Sequence, residues 1–395
     1  MSAALPTLKL KAREERRLRA GHLWAYSNEL DTDASFRALE PGSLCKLTDS
    51  RDKPLGVGYV NPHTLLAVRL LSSDIRAQID LNFIQRRIQS ALELRARLYA
   101  APYYRLVHGE GDALPGLVVD RYDDVLSVQI TTAGMERLKP LVLAALNNLL
   151  KPRGIVLRND SSAREVEGLP CAVEIIGDVP DVVRVVEEGV QLQADLKGGQ
   201  KTGFFFDQRD NRTRLARYAK GARVLDVFSY VGAWALHAAQ AGAREVVCLD
   251  SSEPALAHAR AAAQAANVAL ETLCDDALAG LKALRAQGRS FDVVIVDPPA
   301  LIKRRKDFEA GSEHYAALNR AAMQLLAADG ILVSCSCSHH MQADTLQRLL
   351  LREARHSGRR LQILEQGGQG ADHPIHPAID ETRYLKAFFC RALAG

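Results

Sequence analysis

Two short stretches late in the chain carry side chains suited to covalent chemistry. Ser334-Cys335-Ser336-Cys337-Ser338 closes one apolar run of strand type, and Asp297-Pro298-Pro299 closes another. At the carboxyl edge of a parallel sheet, side chains face the ligand crevice. A thiolate placed there is a strong nucleophile. Carbon 5 of a pyrimidine reacts as a nucleophile only after something has added to carbon 6, and a thiolate suits that addition. Strand alternation points Cys335 and Cys337 the same way, with Cys335 deeper and Cys337 nearer the edge. Cys337 is therefore the favoured nucleophile, against the plain reading of a buried cysteine as an inert small hydrophobe. The two prolines stiffen their turn and remove donors, leaving the carbonyl of Asp297 or Pro298 as a fixed acceptor. An exocyclic amine such as cytosine N4 is a natural donor for it; a rigid loop start is the competing reading.

Three further strand-like runs end in acids. Asp226 closes Arg223–Phe228 and is followed by Ser229-Tyr230-Val231-Gly232 and an alanine-rich helix. This is how an open α/β sheet begins a cofactor site. The turn has one glycine and two aromatics where a pyrophosphate cradle needs three close backbone approaches. Asp226, Phe228, Ser229 and Gly232 thus predict a nucleoside cofactor without pyrophosphate, S-adenosyl-L-methionine rather than NAD. Asp250 ends the next strand 24 positions on (250 − 226), near the spacing at which an acid meets ribose hydroxyls. Asp275 and Asp276 end the third, where a side chain commonly meets an adenine amino group. Singly, each acid could be a helix cap; in register at successive strand ends they form a set.

These residues need a sheet to hold them. From residue 191 to 395 the sequence alternates strand and helix: Arg223–Phe228, Glu245–Asp250, Glu271–Asp275, Phe291–Asp297, Gly330–Cys335, Arg360–Glu365 and a last strand near Tyr384–Arg391. The helices include Ala255–Ala266 and Ala316–Leu326, the latter closed by Asp329-Gly330. Such alternation predicts a mostly parallel, doubly wound sheet, with an antiparallel hairpin at one edge where no helix separates the last two strands. Residues 1 to 72 read as a small β-rich module. Its Lys11–Tyr26 stretch sets basic residues beside Trp24 and Tyr26, ingredients of an RNA-binding surface, unless the two aromatics fill a barrel core. The glycines of Leu55-Gly-Val-Gly-Tyr59 mark a bend or close packing. Residues 73 to 190 read as a connector. It has helices over Ile79–Leu98 and Leu138–Leu150, and a hairpin of Leu117–Asp120 with Val125–Thr131.

Composition sets outer bounds. At 395 residues, two or three domains are expected, and no apolar run is long enough to span a bilayer, so no membrane partner is expected. The start, with basic residues after a short apolar part, does not read as a signal peptide, and none is expected. Seven scattered cysteines are neither a disulfide framework nor a zinc ribbon, so no metal is expected and a reducing cytoplasm is the simplest home. A net charge of +4 permits a nucleic-acid partner. The clusters Lys9–Arg19 and Lys303-Arg304-Arg305-Lys306 are the places for it, or else solvated surface.

Asp226–Gly232, Asp250, Asp297-Pro298-Pro299 and Ser336-Cys337-Ser338, after Lys201-Thr-Gly-Phe-Phe-Phe-Asp-Gln-Arg-Asp210, together resemble a bacterial RNA cytosine-5 methyltransferase. Within that group the chain is similar to the large-subunit ribosomal RNA methyltransferases that carry an N-terminal PUA domain. The likeness covers nearly the whole chain. It implies a Rossmann-like class I methyltransferase domain, an N-terminal β-barrel PUA domain and a central α+β domain. It also implies that Gln208 and Arg209 touch the cofactor, that Asp297 faces the target base, and that Cys337 attacks carbon 6. Many members of the wider group carry a second cysteine directly after the fourth-strand proline. Pro299 and Ala300 stand there in this chain, so the base that removes the carbon-5 proton is unassigned between Cys335 and a water. Methyl transfer to a guanine nitrogen or to uracil, and a non-catalytic RNA-binding assembly factor, are the rival readings. A homodimer stays open.

Overall fold

In a computed structural model that describes residues 5–395, the chain falls into two compact units. The first four residues of the N-terminal segment, read above as no signal peptide, lie outside the described residues. One unit runs to Asp181 and adds Asp195–Phe204 and Ala371–Thr382. The other comprises Val182–Ala194, Phe205–Gly370 and Arg383–Gly395. The stretches read separately on either side of residue 72 therefore belong to one compact unit.

That first unit contains two five-stranded sheets. The N-terminal one, in order β1-β3-β4-β5-β2, is built from β1 (Thr7–Lys9), β2 (Trp24–Tyr26), β3 (Ser43–Thr48), β4 (Pro54–Val60) and β5 (Leu66–Ser72). Cys45, Leu47, Val60, Val68 and Leu70 fill its core. The glycines of β4 mark close packing: a Cβ on Gly58 would stand 2.2 Å from the Arg69 carbonyl oxygen. Trp24 and Tyr26 are half-buried and outside that core cluster. Trp24 Nε1 donates to Glu110 Oε1 at 2.9 Å, and the Arg17 guanidinium lies 5.0 Å from the Tyr26 ring centroid.

The second sheet, in order β10-β9-β8-β7-β6, holds β6 (Tyr103–His108), β7 (Leu117–Tyr122), β8 (Val125–Ile130), β9 (Gly154–Asn159) and β10 (Ala172–Gly177). Its core is shared with Ile84 and Ile88 of the helix Leu81–Leu98 and with Leu138 and Val142 of the helix Ala133–Leu150. The second helix starts a turn earlier than the apolar spacing predicts. Thr132 caps it through Met135 N–H, and Gly134 lets the helix approach Tyr59, whose ring a Cβ would overlap at 1.9 Å.

The second unit opens with the hairpin of β11 (Val183–Glu187) and β12 (Val190–Ala194). Glu188 and Gly189 turn it at φ 47° and 81°. The boundary at residue 190 thus falls on the first residue of β12. A seven-stranded sheet follows, in order β15-β14-β13-β16-β17-β19-β18. It is made of β13 (Arg223–Val227), β14 (Glu245–Asp250), β15 (Glu271–Cys274), β16 (Phe291–Val296), β17 (Leu326–Ser336), β18 (Arg359–Gly367) and β19 (Lys386–Ala394). The first five run parallel, and β19 is antiparallel to both β17 and β18. The doubly wound sheet with an antiparallel edge is as predicted, but β18 and β19 are joined by a long connection rather than a tight hairpin. The strand order reverses at β13 and β16, which places the ligand crevice beyond their carboxyl ends. Leu225, Val294 and Leu318 pack one face of this sheet, and Val224, Trp234, Ile295 and Val333 the other.

One helix end differs from the sequence reading. The helix spans Phe308–Leu325 and β17 begins at once with Leu326, so Asp329-Gly330 lies inside a strand. The pairing of β16 with β17 jumps between Phe291 and Val293, and Asp329 sits at φ 64° in that irregularity. A turn-forming pair has made a bulge, not a helix stop. Arg391 of β19 pairs with the Asp329 carboxylate across it, Nη2 to Oδ2 at 2.7 Å.

Candidate active site

The turn after β13 is held in a conformation that ordinary residues avoid. Phe228 and Tyr230 have φ of 66° and 49°, and Gly232, at 75°, caps the helix Ala233–Gln240. Each non-glycine residue so placed costs on the order of 1 kcal/mol, so neighbours must fix it. They do: Phe228 and Ser229 donate their N–H groups to Leu249 O, and Tyr230 N–H donates to Asp250 Oδ2 at 2.8 Å. A Cβ on Gly232 would press to 2.8 Å from that of Ala259.

Asp226 is buried beneath this turn. Its Oδ2 accepts Ala235 N–H at 3.1 Å, while Oδ1 is buried without a hydrogen-bond partner among the described residues. Burial pushes its carboxyl up to about 8, the neighbouring charges of Asp297 and Asp250 adding to the effect. With the folded value above the ordinary one, the folded state keeps a proton between roughly pH 4 and that higher value, and stability is lost as pH rises across the interval. Asp226→Asn is expected to flatten this slope. Without cofactor, the wild-type melting temperature should fall by several degrees from about pH 5 to pH 8, and that of the variant by much less. Parallel melting curves for the two proteins would show that Asp226 holds no such proton.

Asp250 is half-buried at the end of β14, its Oδ1 accepting Ser252 N–H at 2.9 Å and its Oδ2 the Tyr230 N–H. Each oxygen keeps a second lone pair, so the fixed carboxylate can still receive hydroxyl donors. Asp275 and Asp276 come out differently. Asp276 is exposed and caps the helix Ala277–Ala286 through Leu278 and Ala279 N–H, whereas Asp275 is half-buried and its N–H donates to Asp250 O at 3.1 Å. Of the pair, Asp275 stands beside Asp250.

Asp297 follows β16 and is held from both sides. Gln208 Nε2 donates to Oδ1 at 2.8 Å and Trp234 Nε1 to Oδ2 at 3.0 Å. Burial pushes its carboxyl up to about 6, the Trp234 hydrogen bond opposing. The Pro298 carbonyl oxygen accepts from Cys337 Sγ at 3.8 Å. Gln208, Trp234, Asp297, Pro298 and Cys337 are thereby brought together. Strand β17 ends at Ser336, so Cys337 stands half-buried on the loop that follows. Cys335 is fully buried among Trp234, Val333 and Ala387, and burial pushes its thiol well above the ordinary range. A thiol kept neutral in that way is a poor acceptor for a carbon-bound proton. All seven cysteines are thiols.

Arg209 meets an acid. It is buried with Nε 3.4 Å from Glu187 Oε2, while Arg212 grips the same carboxylate with Nε to Oε1 at 2.5 Å and Nη2 to Oε2 at 2.7 Å. His237 Nε2 lies 3.0 Å from Glu187 Oε1. This buried cluster ties the hairpin β11–β12 to the helix Arg209–Ala219 that begins beside Gln208. Sequence reasoning missed Glu187 and Arg212, as it missed Trp234 in its role as a donor. Asp207, whose Oδ2 accepts from Tyr384 at 2.7 Å, and Tyr315, bridged to Ser336 and Ser338 at 3.0 Å each, were missed too. An acid, an arginine and an aromatic far apart in sequence give no spacing signal. The one usable hint was the clustering of polar residues in Asp207–Arg212 directly after three phenylalanines.

Comparison with known proteins agrees with this architecture. A PUA-like domain family matches residues 8–73, and a family described as S-adenosylmethionine-dependent methyltransferase matches residues 105–391. The ribosomal RNA large subunit methyltransferase I of Cronobacter sakazakii is 35% identical over 391 residues, covering 97% of this chain and 98% of the relative. That of Klebsiella pneumoniae is 34% identical over 397 residues, covering 98% of each. Among solved structures, a methyltransferase from Streptococcus mutans superposes with a TM-score of 0.82 at 19% identity, covering 98% of this chain and all of that one. A second structure, of a methyltransferase complexed with SAH, reaches 0.84 at 20% identity with the same coverage, a likeness of fold. No helix among the described residues is long and apolar enough to cross a membrane. With a Rossmann-like sheet, an acid-lined turn and a matched domain over residues 105–391, the chain belongs to the S-adenosylmethionine-dependent methyltransferase family, with an N-terminal PUA-like domain and S-adenosylmethionine as its cofactor.

Proposed function

We propose that this protein forms 5-methylcytosine in RNA, and that the RNA is that of the large ribosomal subunit. The name shared by its curated relatives supports the substrate class. The observation that carries the chemistry is the half-buried Cys337 thiol on the Pro298 carbonyl, next to the doubly held Asp297.

The Cys337 thiolate adds to carbon 6 of a cytosine. The new S–C bond forms as the C5=C6 electron pair moves to carbon 5. S-adenosylmethionine, when bound, would supply the methyl group that the carbon-5 electron pair takes up, its sulfonium S–CH3 bond breaking to leave the neutral thioether. Loss of the carbon-5 proton to a water returns its electron pair to the ring, and the C6–S bond breaks to regenerate the thiolate. Ionising Cys337 removes its hydrogen bond to Pro298, so that carbonyl becomes able to accept the cytosine amine while Asp297 holds the ring edge. A base paired in a helix cannot reach such a site, so the target is single-stranded, looped or flipped out. On the cofactor side, the unpartnered oxygen of Asp226 fits the ammonium group, Asp250 the ribose hydroxyls and Asp275 the adenine amine. Phe228, Ser229 and Gly232 shape the turn around them. Gln208 acts through Asp297, and Arg209 through Glu187. The exposed run Lys303–Lys306 and the N-terminal module are the sites for the RNA backbone.

A cytosine with fluorine at carbon 5 has no proton there to lose, so its adduct should persist. RNA carrying it is expected to form a covalent complex with the wild-type protein in the presence of S-adenosylmethionine, mapped to Cys337, and none with Cys337→Ala. A complex mapped to another residue would overturn the nucleophile assignment.

A further inference from the structure

The catalytic unit contains a buried cation that the scheme above does not use. Lys386 opens β19, directly opposite Ser336 in the pairing of β17 with β19, and is 7% exposed. Lysine is almost never buried without a partner. Here its Nζ donates to the Ser338 carbonyl at 2.6 Å and to the Tyr384 carbonyl at 2.8 Å. Both partners are neutral oxygens, so neither cancels the charge, and one of the three N–H bonds is left over from them. Ser336 and Ser338 flank Cys337, so strand pairing and hydrogen bonding both hold the ammonium against the segment that carries the nucleophile. Burial lowers Lys386 to about 8, and its interaction with Cys337 works in the opposite direction. The amine is therefore charged at neutral pH.

We propose that Lys386 is a positioning residue for the thiol: pinned by the Ser338 and Tyr384 carbonyls, its ammonium stabilises the Cys337 thiolate and enlarges the nucleophilic fraction at neutral pH. The inference rests on the reading of Cys337 as nucleophile. The thiol gives its proton to water and keeps its electron pair, while the ammonium keeps all three protons.

The hydroxyl, thiol and carboxyl groups near Cys337 do not supply this charge. Tyr315, from the helix Phe308–Leu325, is pushed up to about 12 by burial, and Cys335 on β17 is a buried neutral thiol. Asp297, beyond β16, is acidic and opposes a thiolate; His339 and His340 follow on the same loop. A lysine that merely ties the strand end to the loop would not alter the pH at which Cys337 reacts.

The test is iodoacetamide labelling of the full chain between about pH 6 and pH 10, resolved to the Cys337 peptide by mass spectrometry. Lys386→Met is expected to slow labelling of Cys337 at about pH 7 by roughly ten-fold and to move its midpoint up by about one unit, with exposed Cys171 and Cys274 unchanged. Lys386→Arg keeps the charge and is expected to hold the wild-type midpoint, which guards the test should the methionine variant fold poorly. A Cys337 profile for Lys386→Met that superimposes on wild type overturns the proposal. So does a parallel shift of all three thiols, or an arginine variant that loses Cys337 reactivity. Identification of the methylated nucleoside decides the underlying reaction separately, because the labelling profile needs no RNA.

Discussion

Replacing Cys337 by alanine is expected to lower methyl transfer to RNA by at least ~10³-fold while changing S-adenosylmethionine affinity by no more than about two-fold. The asymmetry follows from position. Cys337 stands past the end of β17, half-buried on the Pro298 carbonyl, and the carboxylates that suit the cofactor lie at or just after the ends of β13, β14 and β15. No other thiol can stand in. Cys335 is two residues away but fully buried, and its thiol is held neutral by its surroundings. Cys335→Ala is therefore expected to keep activity within a few-fold and to lose only about 1 kcal/mol of packing. Single-turnover transfer of labelled methyl groups, paired with calorimetry of cofactor binding, reads both quantities. Activity of Cys337→Ala within ten-fold of wild type would remove the covalent step from the mechanism.

The second large effect lies away from the reacting atoms. Glu187→Gln is expected to destabilise the protein by ~3–5 kcal/mol, because Arg212 and Arg209, 2% and 4% exposed, would lose the buried carboxylate that they share. Burial by itself would raise the Glu187 carboxyl. The charge and hydrogen bonds of Arg212 outweigh it and hold the group well below the usual range. A depressed folded value means stability that is present above the ordinary pKa and lost as pH falls below it. The wild-type urea midpoint should therefore drop below about pH 4, and the part of that drop due to Glu187 should be missing in the variant. Because Arg209 follows Gln208, and Gln208 holds Asp297, the variant should also weaken methyl transfer at temperatures where it remains folded. A loss of less than about 1 kcal/mol would mean that the cluster relaxes or hydrates when its acid is removed.

How much of this was legible before folding depended on the range of the signal. The strand-end acids could be read because each closes an apolar run, and a run of that length followed by helical spacing is a local pattern. The order of the strands at the antiparallel edge could not, since β19 inserts between β17 and β18 through long-range pairing. Alternation predicted that Cys335 and Cys337 share a direction. That logic holds only while the strand continues, and β17 stops between them. The pair Asp275-Asp276 shows the same limit: the strand ends one residue early, at Cys274, so that Asp276 becomes a helix cap. Asp329-Gly330 read as a helix stop because bulges and caps use the same residues, and only the neighbouring strand decides between them. Glu187, Arg212, Trp234 and Lys386 act through side-chain partners 22 to 63 residues away, or through backbone carbonyls, and no spacing rule reports such contacts.

The central claim is that the methyl group goes to carbon 5 of cytosine. Large-subunit ribosomal RNA from a strain lacking this gene, incubated with the purified protein and S-adenosylmethionine and digested to nucleosides, measures it directly by mass spectrometry. The expected result is a gain of 5-methylcytosine that disappears with Cys337→Ala. A methyl group on a guanine nitrogen or on uracil, or no methyl transfer at all, would contradict it.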